Sequence, residues 1–182
     1  MPDSVMIRPL EIADYPAFFA YLDAQMAING KQGYPLFQPV SREVEAFPPE
    51  KQAAFVAGLG KALDQSGWRR AWVAVDAGNR ILGHVDLRAL PESGIYHRAL
   101  LGMGVALPAR RQGLARRLLE FVIGWMQAGG LLQWLDIEVL AANTPAVALY
   151  RGSGFTELCE IPDMFRIDGN PEAVIRMTRY LG

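Results

Sequence analysis

The sequence is poor in the residues that mark several common protein classes. Its 182 residues include one cysteine, Cys159, and two histidines, so an internal disulfide is excluded and a cysteine or histidine metal cluster is not expected. No apolar run approaches the roughly 18 residues of a membrane-spanning helix, and the first ten residues, "MPDSVMIRPL", lack the pattern of a secretory leader. We therefore expect a cytoplasmic protein that binds neither a metal ion nor a membrane.

The chain also lacks an excess of charge of either sign. Its formal net charge is −1, whereas a nucleic-acid-binding protein usually spreads many cations over one face. Hydrophobic residues make up 51% and charged residues 20% of the chain, which is ordinary for globular proteins. Because domains commonly hold about 100–150 residues, we expect residues 1–182 to form a single domain that does not bind nucleic acid.

The first third of the chain predicts a strand and two helices joined by a long loop. A short strand is expected at "VMIRPL", followed by a helix with Asp14 at its N-cap and Pro16 in its first turn. Residues 29–49, "NGKQGYPLFQPVSREVEAFPP", are rich in glycine and proline and predict a surface loop. The second helix is expected at "EKQAAFVAGLGKAL".

The remainder predicts a sheet crossed by helices. Two strands flank the turn "DAGN" as a hairpin, and a third follows at "HRALLGMGVAL". A helix from about Gly113 to Gln127, a strand at "LQWLDIEVL", a short helix opening at Thr144 and two closing strands near "FTELCEI" and "AVIRMTRYL" complete the order. We therefore predict an α/β fold with one mixed, mostly antiparallel sheet of about seven strands, including a parallel step across residues 100–140.

The junction before the long helix predicts an anion site. A strand runs through a turn containing Gly113 into a helix, whose first N–H groups lack partners and carry partial positive charge. Arg110 and Arg111 add positive charge that we expect to be mobile. The alternative is an ordinary amphipathic helix with a solvated basic edge. Neither a P-loop nor a dinucleotide fingerprint is present, since "GMG" at Gly102–Gly104 lies within a strand.

Two ordered motifs carry a family resemblance. "RRQGLA", Arg110 to Ala115, resembles the Arg/Gln-x-x-Gly-x-Gly/Ala signature of the GNAT superfamily of N-acetyltransferases. "IEVLAANTPAVALYRGSGF", Ile137 to Phe155, resembles the second half of the core of that superfamily: a strand, an asparagine, a helix ending in tyrosine and a glycine turn. The resemblance implies a GNAT-like sheet flanked by helices and splayed at an acyl-CoA site.

The resemblance also implies a co-substrate and its site. Acetyl-CoA would donate its acetyl group directly to a primary amine. The backbone of Met103, Gly104 and Val105 would pair with pantetheine and polarise the thioester, and Tyr150 would protonate the leaving thiolate. The other residues implied in cofactor binding are Arg110, Arg111, Gln112, Gly113, Leu114, Ala115, Arg116 and Asn143.

The general base has three candidates. Strand alternation puts Trp134, Asp136 and Glu138 on one face, and "IEV" followed by "AAN" resembles the bacterial ribosomal-protein N-terminal alanine acetyltransferases, in which the matching glutamate is the base. We predict Glu138, although both acids could instead face solvent or pair with arginines. His84 and His97 are rivals, since the usual pKa of histidine, about 6.5, suits proton transfer.

The acceptor and two other functions stay open at this point. The acceptor amine could belong to a small molecule, a protein N-terminus or a lysine, and residues 29–67 match no family pattern. The loop at residues 29–49, with Tyr34, Phe37 and Phe47, is the expected acceptor wall. The alternatives are a non-catalytic acyl-CoA sensor and, less favoured, a nucleic-acid-binding module using Arg110, Arg111, Arg116 and Arg117. Analogy with the family also makes a homodimer plausible.

Overall fold

A computed structural model describes residues 5–182, with seven strands and four helices. The strands are β1 (Met6–Pro9), β2 (Arg69–Val75), β3 (Ile81–Arg88), β4 (Arg98–Val105), β5 (Trp134–Leu140), β6 (Thr156–Ile167) and β7 (Asn170–Tyr180). The helices are α1 (Tyr15–Met26), α2 (Pro49–Leu59), α3 (Leu114–Gly129) and α4 (Thr144–Arg151), with short 3-10 turns at Ile12–Asp14 and Leu107–Ala109. None of the helices within residues 5–182 combines the length and apolar composition needed to cross a bilayer.

All seven strands belong to one sheet in the order β1-β2-β3-β4-β5-β7-β6. Every neighbouring pair is antiparallel except β4 and β5, which are parallel. The β6–β7 hairpin turns at Asp168 and Gly169, both with positive φ (51° and 81°), the conformation that a two-residue hairpin turn requires. The predicted fold class, strand number and parallel step are confirmed.

Helices cover both faces of the sheet, and each face has its own core. On the α3 face, α3 and α4 pack against alternate residues of β2 to β7; the fully buried members of this core include Leu87, Leu118, Leu119, Val122 and Leu135. On the α1 face, α1 and α2 bury Phe18 and Phe55 against Ala71, Val73 and Val75 of β2. Successive side chains of a strand therefore point alternately into the two cores, as expected for a sheet buried on both faces.

Several boundaries differ from the sequence-based expectation. The Asp14 side chain does not cap α1, because its carboxylate accepts two hydrogen bonds from Arg8 (2.6 and 2.8 Å) and one from the Glu11 N–H (2.9 Å). Helix α2 ends at Leu59, before Gly60, rather than continuing to Leu63. The closing hairpin is longer than predicted, because the turn at Asp168 and Gly169 allows pairing up to its edge.

Residues 27–48 contain neither helix nor strand, as predicted for most of this segment, yet the segment is held at three points. Asn29 is fully buried, and its side-chain oxygen accepts hydrogen bonds from the N–H groups of Phe37 and Gln38 (2.8 and 3.0 Å). Leu36 is buried in a small cluster with residues of β5, β6 and β7. Arg42 forms an ion pair with Asp168 (2.8 Å). The segment thus runs from α1 to the β6–β7 turn across the α1 face.

Candidate active site

The sheet opens between its two parallel strands. Within residues 5–182, β4 and β5 pair only where Arg98–Leu100 lies beside Trp134–Asp136. The following residues, 101–105 of β4 and 137–140 of β5, have no pairing to each other, although β4 stays paired with β3 and β5 with β7. We call the space between these two stretches the split.

The backbone of β4 presents hydrogen-bonding groups to the split. Ala106 N–H donates to the Leu82 carbonyl (2.8 Å), and hydrogen-bonded and non-hydrogen-bonded pairs alternate along an antiparallel ladder. Val105 opposite Gly83 and Met103 opposite Val85 are therefore non-hydrogen-bonded pairs, so their N–H and C=O groups point away from β3. The split consequently offers an edge that an extended ligand can join as an additional strand.

The split ends at the N-terminus of α3. Gly113 precedes that helix with a φ of 80°, and a side-chain carbon added there would have no atom within 4 Å. The first bond of this turn runs from Arg117 N–H to the Gly113 carbonyl (3.1 Å), which leaves the preceding helical N–H groups directed outward. Arg111 and Gln112 are exposed beside them. This arrangement suits a phosphate group.

Helix α4 follows β5, the strand on the other side of the split. Asn143 and Tyr150 are seven residues apart, which is two helical turns, so both lie on the same side of α4. Tyr150 is buried and packs on Phe155, with ring centroids 5.7 Å apart. Burial raises the pKa of Tyr150 to about 12, so its hydroxyl stays protonated at neutral pH. Arg116, on the first turn of α3, reaches toward Gly152 at the end of α4.

Glu138 and Asp136 lie on the α1 face of β5, as the alternation predicts. Glu138 lies opposite Arg176 of β7 and accepts a hydrogen bond from its Nε (2.9 Å). Both side chains are close to half-exposed, at 44% and 47%. Asp136 is buried and is held by Arg98 (2.7 Å) and the Thr178 hydroxyl (2.6 Å). Both carboxylates therefore pair with arginines, but Glu138 alone of the two is accessible beside the split.

The two histidines occupy different environments. His97 is exposed and precedes β4 at the end farthest from Val105. His84 is buried, and burial lowers its pKa to about 4. The Tyr21 hydroxyl lies 3.1 Å from His84 Nδ1, and Nε2 of the same ring lies 3.9 Å from Asp86; burial also raises the pKa of Tyr21. Neither environment suits a general base.

The glycines of "GMG" make room for polar side chains on β3. A side-chain carbon at Gly102 would collide with the Asp86 carboxylate and come within 2.8 Å of Arg88 Nη1, and one at Gly104 would lie 2.9 Å from His84 and 3.0 Å from the Tyr21 hydroxyl. The polar ends of these residues thus lie over β4 at the margin of the split. Tyr21 was not identified from the sequence. The available signal was "HVD", whose two polar residues lie opposite two glycines of β4, but this pairing is known only once the β3–β4 register is known.

Arg110 differs most from its expected behaviour. Its side chain is not mobile: Nε donates to the Val105 carbonyl and Nη2 to the Gln25 side-chain oxygen, each at 3.0 Å. Its guanidinium carbon lies 5.6 Å from the ring centroid of Tyr34 and 5.8 Å from that of Phe37. The two hydrogen bonds and the aromatic rings direct Arg110 toward α1 and the 29–49 loop. Met103, Gly104, Leu114 and Ala115 lie as expected along the strand and helix that border the split.

A splayed sheet that ends at a helix N-terminus suited to a phosphate group, with a buried tyrosine on the next helix, is typical of the acyl-CoA-dependent acetyltransferases. The family model described as Acetyltransferase (GNAT) family matches residues 34–155. The chain belongs to this family, which confirms the resemblance drawn from "RRQGLA" and the later motif.

Curated relatives and solved structures agree with this family. The chain is 35% identical over 116 residues to mycothiol acetyltransferase of Pseudarthrobacter chlorophenolicus, covering 61% of the chain and 35% of that protein. It is 31% identical over 116 residues to the ribosomal protein bS18-alanine N-acetyltransferase of Escherichia coli, covering 59% of the chain and 78% of that protein. The matched part of the chain thus spans about a third of the first relative and about three quarters of the second.

The fold similarity extends over the whole chain. A GNAT-family acetyltransferase from Streptococcus pneumoniae superposes with a TM-score of 0.80 at 22% identity, covering 98% of this chain and 100% of that one. The ribosomal-protein-alanine N-acetyltransferase of Brucella melitensis gives 0.79 at 22% identity, covering 97% and 100%. At these identities the superpositions establish the fold, and the substrate has to be argued from the residues of this chain.

Proposed function

We propose that the protein is an N-acetyltransferase that transfers the acetyl group of acetyl-CoA directly to a primary amine in the cytoplasm. The observation that carries the proposal is the split, in which the backbone groups of Met103 and Val105 that point away from β3 lead to the exposed N-terminus of α3. A sensor that only bound acyl-CoA would not need Glu138 and Tyr150 beside the split. The nucleic-acid-binding alternative is not supported either, because Arg110 faces α1 and Arg117 donates to the Val5 carbonyl.

The residues present fit the co-substrate. The Met103 and Val105 backbone would hold the pantetheine arm, with Gly104 between them, and residues 111–115 would hold the pyrophosphate at the helix N-terminus. Arg116 lies on α3 and Asn143 directly precedes α4, and both would contact the remaining cofactor groups. Acetyl-CoA supplies a thioester that is activated toward amines and a thiolate leaving group.

Four groups of the chain have separate roles in the proposed reaction. The Val105 N–H donates to the thioester oxygen, where negative charge develops as the amine nitrogen bonds to the carbonyl carbon. Glu138 accepts the proton that the amine loses. Tyr150, which its raised pKa keeps protonated at neutral pH, would donate its hydroxyl proton to the sulfur as the carbon–sulfur bond breaks. Arg176 holds the Glu138 carboxylate beside the split.

The acceptor is a primary amine that reaches the split from the α1 face. The 29–49 loop borders this face through Leu36 and the rings of Tyr34 and Phe37, which supports its role as the acceptor wall.

No three His, Cys, Asp or Glu side chains within residues 5–182 are grouped as metal ligands, and the reaction as written needs no metal ion. A homodimer stays a prediction.

The first experiment combines acetyl-CoA titration calorimetry with an acetyl-transfer assay that detects the released thiol. We expect one site per chain and transfer to at least one primary amine. Glu138→Gln should lower kcat by about 10²-fold while leaving the Kd for acetyl-CoA unchanged, and Glu160→Gln, an exposed glutamate of β6, is the control. Absence of acetyl-CoA binding would contradict the proposal, and binding without transfer to any amine or peptide would favour a sensor.

A further inference from the structure

The carboxylates beside the split are each paired with an arginine, whereas Arg110 has no carboxylate partner among residues 5–182. Three carboxylates lie there on the α1 face, and each is ion-paired with an arginine: Asp86 with Arg69, Asp136 with Arg98, and Glu138 with Arg176. Asp86 is shared with a second cation, Arg88 (3.4 Å). A polyamine acceptor would need carboxylates left over for its second cation, and among residues 5–182 this face offers none beside the split.

Arg110 is a cation without an anion. Its two hydrogen bonds go to neutral oxygens, the Val105 carbonyl and the Gln25 amide, and within residues 5–182 no carboxylate lies within 4 Å of it. Partial burial, which removes water from the guanidinium, lowers its pKa from the ordinary value. A partly desolvated arginine with unused N–H donors gains most from a carboxylate, which it can bind through two parallel hydrogen bonds.

The position of Arg110 fixes where such an anion would lie. Its Nε holds the Val105 carbonyl, and the N–H of the same residue is the proposed partner of the thioester. The rings of Tyr34 and Phe37 and the Gln25 side chain contact the guanidinium on the α1 face of the sheet, the face from which the proposed acceptor enters. An anion bound there is close to the reacting nitrogen, and the two groups must therefore be close together within the acceptor.

We infer that the acceptor is an amino acid or a similar small molecule whose carboxylate lies one or two carbons from its amine, and that Arg110 binds that carboxylate. This inference rests on the proposed acetyl transfer. Glu138 takes the amine proton, and Arg110 sets the orientation and rejects amines that lack the acid. Arg110 is then a specificity residue of the acceptor site, separate from the phosphate cradle at Gly113.

The test compares each standard amino acid that carries a primary α-amine with its α-amide, with spermidine as a third class of acceptor, at equal concentrations of free amine. We expect wild-type kcat/KM for the accepted amino acids to exceed that for the matching amides by at least about 10-fold. In Arg110→Gln this ratio should fall to about one, and any change in the KM for acetyl-CoA should be smaller than the change in this ratio. Arg110→Lys, which keeps the charge, should retain part of the preference, and melting temperatures of both variants check their folding.

Three results would overturn the inference. The first is a wild-type preference for amides or spermidine over acids. The second is an Arg110→Gln variant with an unchanged acid-to-amide ratio and a higher KM for acetyl-CoA, which would assign Arg110 to the phosphates. The third is failure of every amino acid to bind the wild-type protein saturated with CoA, measured by calorimetry. This binding measurement does not require acetyl transfer. Failure of the proposed function would be recognised separately, because no amine would then be acetylated.

Discussion

The two sides of the split are built in different ways. The side that would hold acetyl-CoA consists of the end of β4, α3 and α4, which all lie within residues 103–151, with β5 between the two helices. The acceptor side brings together Tyr21, residues 34–37, His84, Glu138 and Arg176 from five separate segments. One side depends on backbone groups at fixed positions, and the other depends on side chains whose meeting is set by the sheet register.

The largest effect that would test this contrast is expected at Gly113. Gly113→Glu introduces a side chain at a φ of 80° and a negative charge at the phosphate cradle. We expect the Kd for acetyl-CoA, measured by calorimetry, to rise by at least about 100-fold, while acceptor-side variants such as Glu138→Gln leave it unchanged.

Gly124→Glu is the matched control for that variant. Gly124 is exposed on the same helix, has open space at its side-chain position and no positive φ, so the same charge on α3 should leave acetyl-CoA binding within about twofold of wild type. Equal losses in the two variants would show that helix charge, rather than the cradle, governs binding, and the division between the two sides would then be wrong.

A smaller effect is expected for Tyr150→Phe, which separates chemistry from binding on the cofactor side. Removing the hydroxyl removes the proposed proton donor but keeps the ring that packs on Phe155. The expected result is a fall in kcat of about 10²-fold with the Kd for acetyl-CoA and the melting temperature close to those of wild type. A variant with normal kcat would show that another group protonates the thiolate; Tyr180→Phe, at an exposed tyrosine of β7, is the control.

The sequence predicted the cofactor side better than the acceptor side for a physical reason. Gly113, Asn143 and Tyr150 belong to local patterns of turn, cap and helix, and these patterns are set by residues a few positions apart. Their placement around the split agrees with those patterns, while their roles stay predictions. Glu138 was placed on the correct face because strand alternation is also local, but its partner Arg176 is 38 residues away and could not be selected.

Contacts between residues far apart in the chain also explain why the environments of Arg110 and His84 differ from those predicted. The motif identified Arg110 as a basic residue beside the cradle, but its hydrogen bond to Gln25 joins residues 85 positions apart, and this contact turns the side chain to the acceptor side. His84 was a reasonable base from its usual pKa alone. Its contact with Tyr21 across 63 positions, and the burial that follows, remove that role.

The smallest expected effect on activity concerns the buried pair of Tyr21 and His84, where the expected change is one of stability. Burial lowers the pKa of His84 to about 4 in the folded state, against about 6.5 in the unfolded chain. Between these values the unfolded state binds more protons, so the free energy of unfolding falls as the pH falls from about 6.5 toward 4. The contribution is fully present above pH 6.5 and amounts to at most about 3 to 4 kcal/mol, at about 1.4 kcal/mol per pKa unit.

Urea unfolding at several pH values between 7.5 and 4.5 measures this contribution when wild type is compared with His84→Gln. Glutamine keeps an oxygen that can accept a hydrogen bond from Tyr21, but it does not titrate. The charged groups that face this site, Asp86, Arg69 and Arg88, are the same in both proteins. Acid should therefore destabilise wild type more steeply than the variant. Parallel curves would mean that water reaches His84 in the folded protein, and the polar margin of the split would then be open enough for His84 to be reconsidered as the base.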